Sequence, residues 1–276
     1  MANREYYYLV AGLPDLAPGQ AKAPLSLLEL RWELRERLHP EDYQLLELLF
    51  LPADNRNLLQ LLLKTFSEWD PLGNYSREQM EEGLRDSSLL RPYLQTFITA
   101  FHNDMALRPG MSWENQLTEL YYQYALDNTE GFLHEWFSFD RRLRNLLAAL
   151  SARRLSLPLE GQLIGQDGIT ESILRNRARD FGLGNELPWL DRLLRLEDQD
   201  NPLEREWGID QLRWETIGEL NTFNYFSIEV ILGFVLRLAI LNRWQGLDPE
   251  RGADLFRRLV TGLEQGFGFP NEFSLS

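Results

Sequence analysis

Apolar residues recur at helical spacing along nearly the whole chain and almost never alternate. From Ser26 to Leu38, leucines stand at 27, 30, 34 and 38 with charged residues between them. A side chain returns to the same face of a helix about every 3.6 residues, whereas a half-buried strand needs a period of two. The spacing therefore predicts an amphipathic helix here. Ser26 followed by Glu29 reads as a capping box, and Pro40 ends the helix. The same pattern predicts helices over 41–51, 54–68, 89–103, 113–127, 129–137, 140–155, 170–181, 187–196, 202–220, 226–244 and 249–265. Another starts at Ser76, Asp70 to Asn74 reads as a turn, and the tail from Gly266 reads as irregular. Only the run Tyr6 to Val10 could pass for a strand, and it could equally open a helix. The fold class is all-α.

Three similar breaks interrupt the helices. The first runs from Phe50 through Asp54 to Asn57, the second from Phe139 through Asp140 to Asn145, and the third from Phe223 through Asn224 to Ser227. Each is followed by an apolar run that reaches a basic residue. Asp54 to Asp140 is 86 residues (140 − 54), and Asp140 to Asn224 is 84 (224 − 140). Asp or Asn at a helix start accepts bonds from free N–H groups, so Asp54, Asp140 and Asn224 are expected to cap equivalent helices of a tripled unit. The expected organisation is one helical protein over 1–276, built as helical bundles in three pseudo-repeated lobes at 1–105, 106–168 and 169–276. The stretch 156–168, with Pro158, Gly161, Gly165 and Gly168, is the candidate linker.

Composition removes several function classes. The chain has 276 residues, 44% of them hydrophobic, which is enough for a substantial core. It has no cysteine, so disulfides, thiolate catalysis and cysteine-ligated zinc or iron–sulfur sites are excluded; a cytoplasmic location fits. A net charge of −14 argues against nucleic acid and against adhesion to an anionic membrane, and is compatible with a basic or mixed-charge protein partner. Only Lys22 and Lys64 are lysines among the 28 basic residues. The arginine excess predicts planar Arg–carboxylate pairs, although a GC-rich genome would give the same bias. The N-terminal apolar run is short and carries Glu5, unlike a secretory signal. The most hydrophobic stretch, 228–241, is interrupted by Glu229 and Arg237 and is shorter than the roughly 20 residues a bilayer needs. It reads as a core helix whose Glu229, Gly233 and Arg237 form one stripe toward a neighbouring helix or solvent.

Catalytic and metal signals are weak. Glu36 to His39 gives one Glu-x-x-His pair where a di-iron bundle site needs two. Glu130 and His134 have the wrong spacing, and His102 stands alone. The glycines between Glu160 and Gly168 lack the Gly-Lys-Ser/Thr of a phosphate loop. Glu81-Glu82 and Asp198 with Asp200 read as solvated faces. No catalytic, cofactor-binding or metal-ligating residue is expected. Most of the eight tryptophans (32, 69, 113, 136, 189, 207, 214 and 244) should be core, with one or two as partner anchors.

Three segments carry a family resemblance: Tyr6 to Pro14, Asp54 to Leu59, and Trp214 to Glu229. They resemble a family of uncharacterised bacterial proteins encoded beside the subunits of V/A-type rotary ATPases. That family is in turn similar to the central-stalk subunit called C in A-type and d in V-type ATPases, an all-helical funnel of three pseudo-symmetric lobes. Asp54, Asn57, Leu58 and Leu59 match a motif found in each lobe of those subunits. The second copy departs, with Asp140 five residues before Asn145, and the third has Ser227 where Asn is expected. The resemblance implies a non-catalytic subunit or assembly factor that links the central shaft to the membrane rotor ring. Its partners would be rotor-ring and shaft subunits, and it would lie in the cytoplasm, peripheral to the inner membrane, with no insertion. The alternative from the residues alone is a helical small-molecule enzyme with a cleft lined by acids and arginine.

Overall fold

The computed structural model describes residues 4–20, 22–65 and 68–246. Among them are twelve α-helices, one short 3-10 turn and no strand. The helices are α1 (Tyr7–Ala11), α2 (Leu27–Arg37), α3 (Pro40–Leu48), α4 (Leu51–Leu63), α5 (Arg77–Arg85) and α6 (Pro92–His102). They continue with α7 (Trp113–Asp127), α8 (Gly131–Leu155), α9 (Gly168–Arg175), α10 (Leu190–Glu197), α11 (Pro202–Leu220) and α12 (Ile228–Gly246). The ambiguous run at Tyr6 is helical. The helix expected over 249–265 and the tail from Gly266 lie outside the described residues.

Local chemistry explains the sharp boundaries. Ser112 accepts a bond from the Asn115 amide at 3.2 Å and starts α7. Asn201 accepts from Leu203 N at 3.0 Å and starts α11, with Pro202 at the first helical position where no N–H is needed. The capping box expected at Ser26 is absent there, because the Ser26 side chain makes no capping bond. One forms instead at Ser76 and Gln79, which exchange bonds of 3.2 and 2.8 Å. Pro52 has no N–H to give Leu48, which accounts for the break between α3 and α4.

The capping repeat does not hold. Asp54 is the fourth residue of α4, whose N-cap is Phe50. Asp140 lies in the middle of α8, a single helix of 25 residues where two were expected at 129–137 and 140–155. No proline or glycine interrupts 132–155, so nothing stops the helix. Asp140 turns sideways instead, accepting the Tyr122 hydroxyl at 2.6 Å and lying 3.5 Å from Arg213 Nε. Asn224 sits in the loop between α11 and α12 and donates to Leu220 O and Asn221 Oδ1. These three settings are unrelated.

Most neighbouring helices in the chain pack on one another, as α6 does on α7, α7 on α8 and α11 on α12. Among the described residues, the most extensive contacts between helices distant in the chain are α4 on α7, α8 on α11, and α12 on α2. The core between them is apolar, with Leu34, Leu46, Leu58, Phe97, Leu117, Phe137 and Leu146 fully buried. Gly233 and Arg237 of the stripe on α12 face α11, while Glu229 lines a cavity. A side chain at Gly233 would meet Asn221 Nδ2 at 2.2 Å, and Arg237 lies over the Trp214 ring and donates to its carbonyl at 3.2 Å.

The loops after α4 and α8 are held by the same device. Asn57 exchanges two bonds with the Asp70 backbone, of 3.0 and 2.9 Å. Asn145 exchanges two with Ile164, of 2.7 and 3.0 Å. Each pair satisfies a loop N–H and C=O that helix or sheet would otherwise pair. Among the described residues, no helix is long and apolar enough to cross a membrane.

Candidate functional site

A cavity of about 390 Å³ opens where α3, α8 and α12 begin. Asp42 and Leu45 line it from α3, Glu130 and the first turn of α8 from a second side, and Ile228, Glu229 and Leu232 from α12. Arg4 and Asn224 complete the wall. Each of the three helices carries an acid in or beside its first turn, where a negative charge complements the helix dipole. Among the described residues, three carboxylates thus share the cavity with one guanidinium. Arg4 is already committed, 2.7 Å from Glu41 and 3.4 Å from Asp42. One buried oxygen of Glu229 accepts no hydrogen bond among the described residues. Among the described residues, no nucleophilic serine and no histidine lines the wall.

The N-terminal segment straps this region together. The Tyr6 amide donates to Phe226 O at 2.6 Å, and its hydroxyl donates to the Asp42 carboxylate in a short bond. Burial, followed by that bond, pushes the Tyr6 phenol up to about 12. Beside the strap stands a group of exposed aromatics. Tyr7 packs on Phe226 with ring centroids 4.6 Å apart. Tyr8 is 95% exposed and Phe223 88%, and Tyr225 is also exposed. Asn224, between Phe223 and Tyr225, lines the cavity, so the loop that carries these rings borders it as an aromatic lip, although none of the rings lines the wall itself. In the sequence Tyr7 and Tyr8 belong to an ambiguous run and Phe223 to a helix break, and neither setting marks them as contact residues. The available signal was their position, in a loop and a five-residue helix outside any long apolar stripe.

A second polar centre is structural. Asp54 is fully buried and accepts Asn74 N at 2.7 Å, Asn74 Nδ2 at 2.6 Å and Tyr75 N at 3.2 Å. Arg31 closes the same loop from α2, donating to the Leu72 and Gly73 carbonyls and to Asn74 Oδ1. Desolvation pushes the Asp54 carboxyl from 3.8 up to about 6, against the pull of its hydrogen bonds. A carboxylate this enclosed holds a loop and reaches no ligand.

The other motifs have structural partners. His39 caps α3, accepting from Glu41 N, and His134 lies 3.3 Å from Leu126 O. His102 ends α6. No group of three or more His, Cys, Asp or Glu is placed to hold a metal among the described residues. The glycine-containing loop is clamped to α7, with Gly161 O accepting from Asn115 Nδ2 and Gly165 N donating to Glu119. Glu81 pairs with Arg77, Asp198 pairs with Arg179, and Glu82 and Asp200 are exposed. Arg–carboxylate contacts are frequent, including Arg91–Glu47, Arg108–Glu119 and Arg141–Asp167. Seven tryptophans are buried or partly buried, whereas Trp32 on α2 is 64% exposed.

No curated protein and no solved structure matches the chain. Residues 1–267 match the family described as "Protein of unknown function (DUF2764)". That match spans nearly the whole sequence, and the chain belongs to the DUF2764 family.

Proposed function

We propose that this chain is a non-catalytic subunit or assembly factor of a bacterial V/A-type rotary ATPase, linking the central shaft to the membrane rotor ring. One observation carries the reading. The three distant contacts, α4 on α7, α8 on α11 and α12 on α2, follow a single rule and close a cycle. With units of α2–α6, α7–α10 and α11 onward, the long helical stretch of each unit packs on the first helix of the next. The first helices begin at Leu27, Trp113 and Pro202, with spacings of 86 (113 − 27) and 89 (202 − 113). The paired Asn57 and Asn145 clamps fall at matching places in the first two units. The repeat proposed here is one of packing between units, with boundaries near 105 and 200; the contacting helix is the third of the first unit and the second of the other two, and capping by Asp54, Asp140 and Asn224 plays no part in it.

On this reading the cavity marks the axis of the three units, because the second helix of each begins beside it. A funnel of this kind works mechanically. Its units must turn together, so apolar helix contacts and cross-unit pairs such as Asp140 with Arg213 carry the load. The acidic cavity suits the end of a shaft, and the outer faces suit a ring that the chain touches without inserting. Affinity purification of the tagged chain from its native cell tests this. ATPase shaft or ring subunits should co-purify from membranes washed without detergent; a partner set free of every ATPase subunit would overturn the reading.

The second reading, a helical enzyme with an acid- and arginine-lined cleft, is favoured by the convergence of Arg4, Asp42, Glu130 and Glu229 on one cavity. The ion pairs of Arg4 and the Tyr6 bond to Asp42 weigh against it, since they occupy the groups a substrate would need. A small metabolite from the native cell that shifts the melting temperature and is chemically converted would support it.

A further inference from the structure

We propose that the aromatic lip and the acidic cavity together form a docking site for a helical protein segment carrying lysine or arginine among apolar residues. This rests on the central position given to the cavity above and names the chemistry of its occupant. Several large rings left in water on neighbouring segments mark an interaction site more often than singly scattered ones do. Here Tyr7, Tyr8, Phe223, Tyr225 and Phe226 are all exposed and come from two adjoining segments held by the Tyr6–Phe226 bond. Rigid rings offer large contact area at low entropic cost, and their faces attract cations.

Charge selects the partner. Glu130 and Glu229 sit in the wall, exposed Glu5 and Glu41 lie on the strap and at the start of α3, and Arg4, the wall cation among the described residues, is paired with its own acids. The helix dipoles at the cavity fade within a turn, while full charges act over about 10 Å at moderate salt. An approaching segment therefore meets a negative field, and the unpartnered Glu229 oxygen offers an acceptor for an ammonium or guanidinium. The same field repels the anionic headgroups that aromatic lips otherwise favour.

The full chain is titrated with fluorescent amphipathic helical peptides, one of leucine and lysine and one of leucine and glutamate, and with phosphatidylglycerol-containing vesicles. The lysine peptide should bind, more weakly at high salt, and the other two probes should not. Phe223→Ser with Tyr225→Ser leaves net charge unchanged and should weaken binding about tenfold or more. Glu229→Gln should weaken it by a smaller factor, and Trp32→Ser on a different helix should leave it unchanged. Equal binding by the double aromatic variant would overturn the docking site by reducing the attraction to overall charge. Preferred binding of the glutamate peptide or the vesicles would overturn it too. Peptide docking without ATPase co-purification removes only the ATPase reading. ATPase co-purification undiminished in the double aromatic variant removes only the docking site.

Discussion

Asp54→Ala should destabilise the protein more than loss of a helix cap would, and the cost should grow as pH falls. The side chain serves three donors, Asn74 N, Asn74 Nδ2 and Tyr75 N, from a fully buried position. An unsatisfied buried donor costs about 1–3 kcal/mol. Asn74 Nδ2 keeps the Glu47 carbonyl at 3.2 Å, and water can enter the truncated space, so the expected loss at pH 8 is about 2–4 kcal/mol. The pH dependence follows from linkage. The folded carboxyl titrates at about 6 and the unfolded one near 3.8, so the native state holds its proton more tightly. The stability gained from that proton is complete below the unfolded value and is lost as pH rises through the folded one. Between pH 8 and pH 5.5 the wild type should gain about 1 kcal/mol that the variant cannot. Urea unfolding followed by far-UV circular dichroism at both pH values measures the difference, and both lie above the isoelectric point of 4.8. A cost under about 1 kcal/mol, or one that shrinks on acidification, would refute the reasoning.

Other outcomes follow from the same structure. Asn145→Ala breaks both bonds to the Ile164 backbone in a buried site and should cost about 1–3 kcal/mol in the same urea assay. Gly161 has φ of +78° and its added Cβ would lie 2.3 Å from Gly110 O, so Gly161→Ala should lower the midpoint by about 1–3 kcal/mol equivalent. Asn224→Ala, which loses only weak bonds at 3.4 and 3.2 Å, should cost under about 0.5 kcal/mol, well below the cost of a lost cap.

The helices were largely legible because their signals are local. Helix α7 runs from Trp113 to Asp127 and α11 from Pro202 to Leu220, as the periodicity predicts. What failed was the reading of acidic residues. Asp is a good cap and also a good buried acceptor, and sequence does not distinguish the two. Asp54 proved to hold a loop 20 residues ahead and Asp140 to meet Arg213 on another helix. Those partners are set by tertiary packing, which also hid the Asn57 and Asn145 clamps. The cavity was equally invisible, because Asp42, Glu130 and Glu229 meet only when three helix starts converge. The aromatic lip had a visible composition and no visible location: Tyr7 and Phe226 are 219 residues apart (226 − 7) and touch through the strap.

The coupling role is tested most directly by reconstitution from purified parts. The native rotor ring, the native shaft subunits and this chain are mixed and resolved by native mass spectrometry. A ring–chain–shaft complex should form, and it should fall apart into ring and shaft when the chain is left out. Ring and shaft that associate equally well without the chain, or a chain that migrates apart from both, would contradict the role.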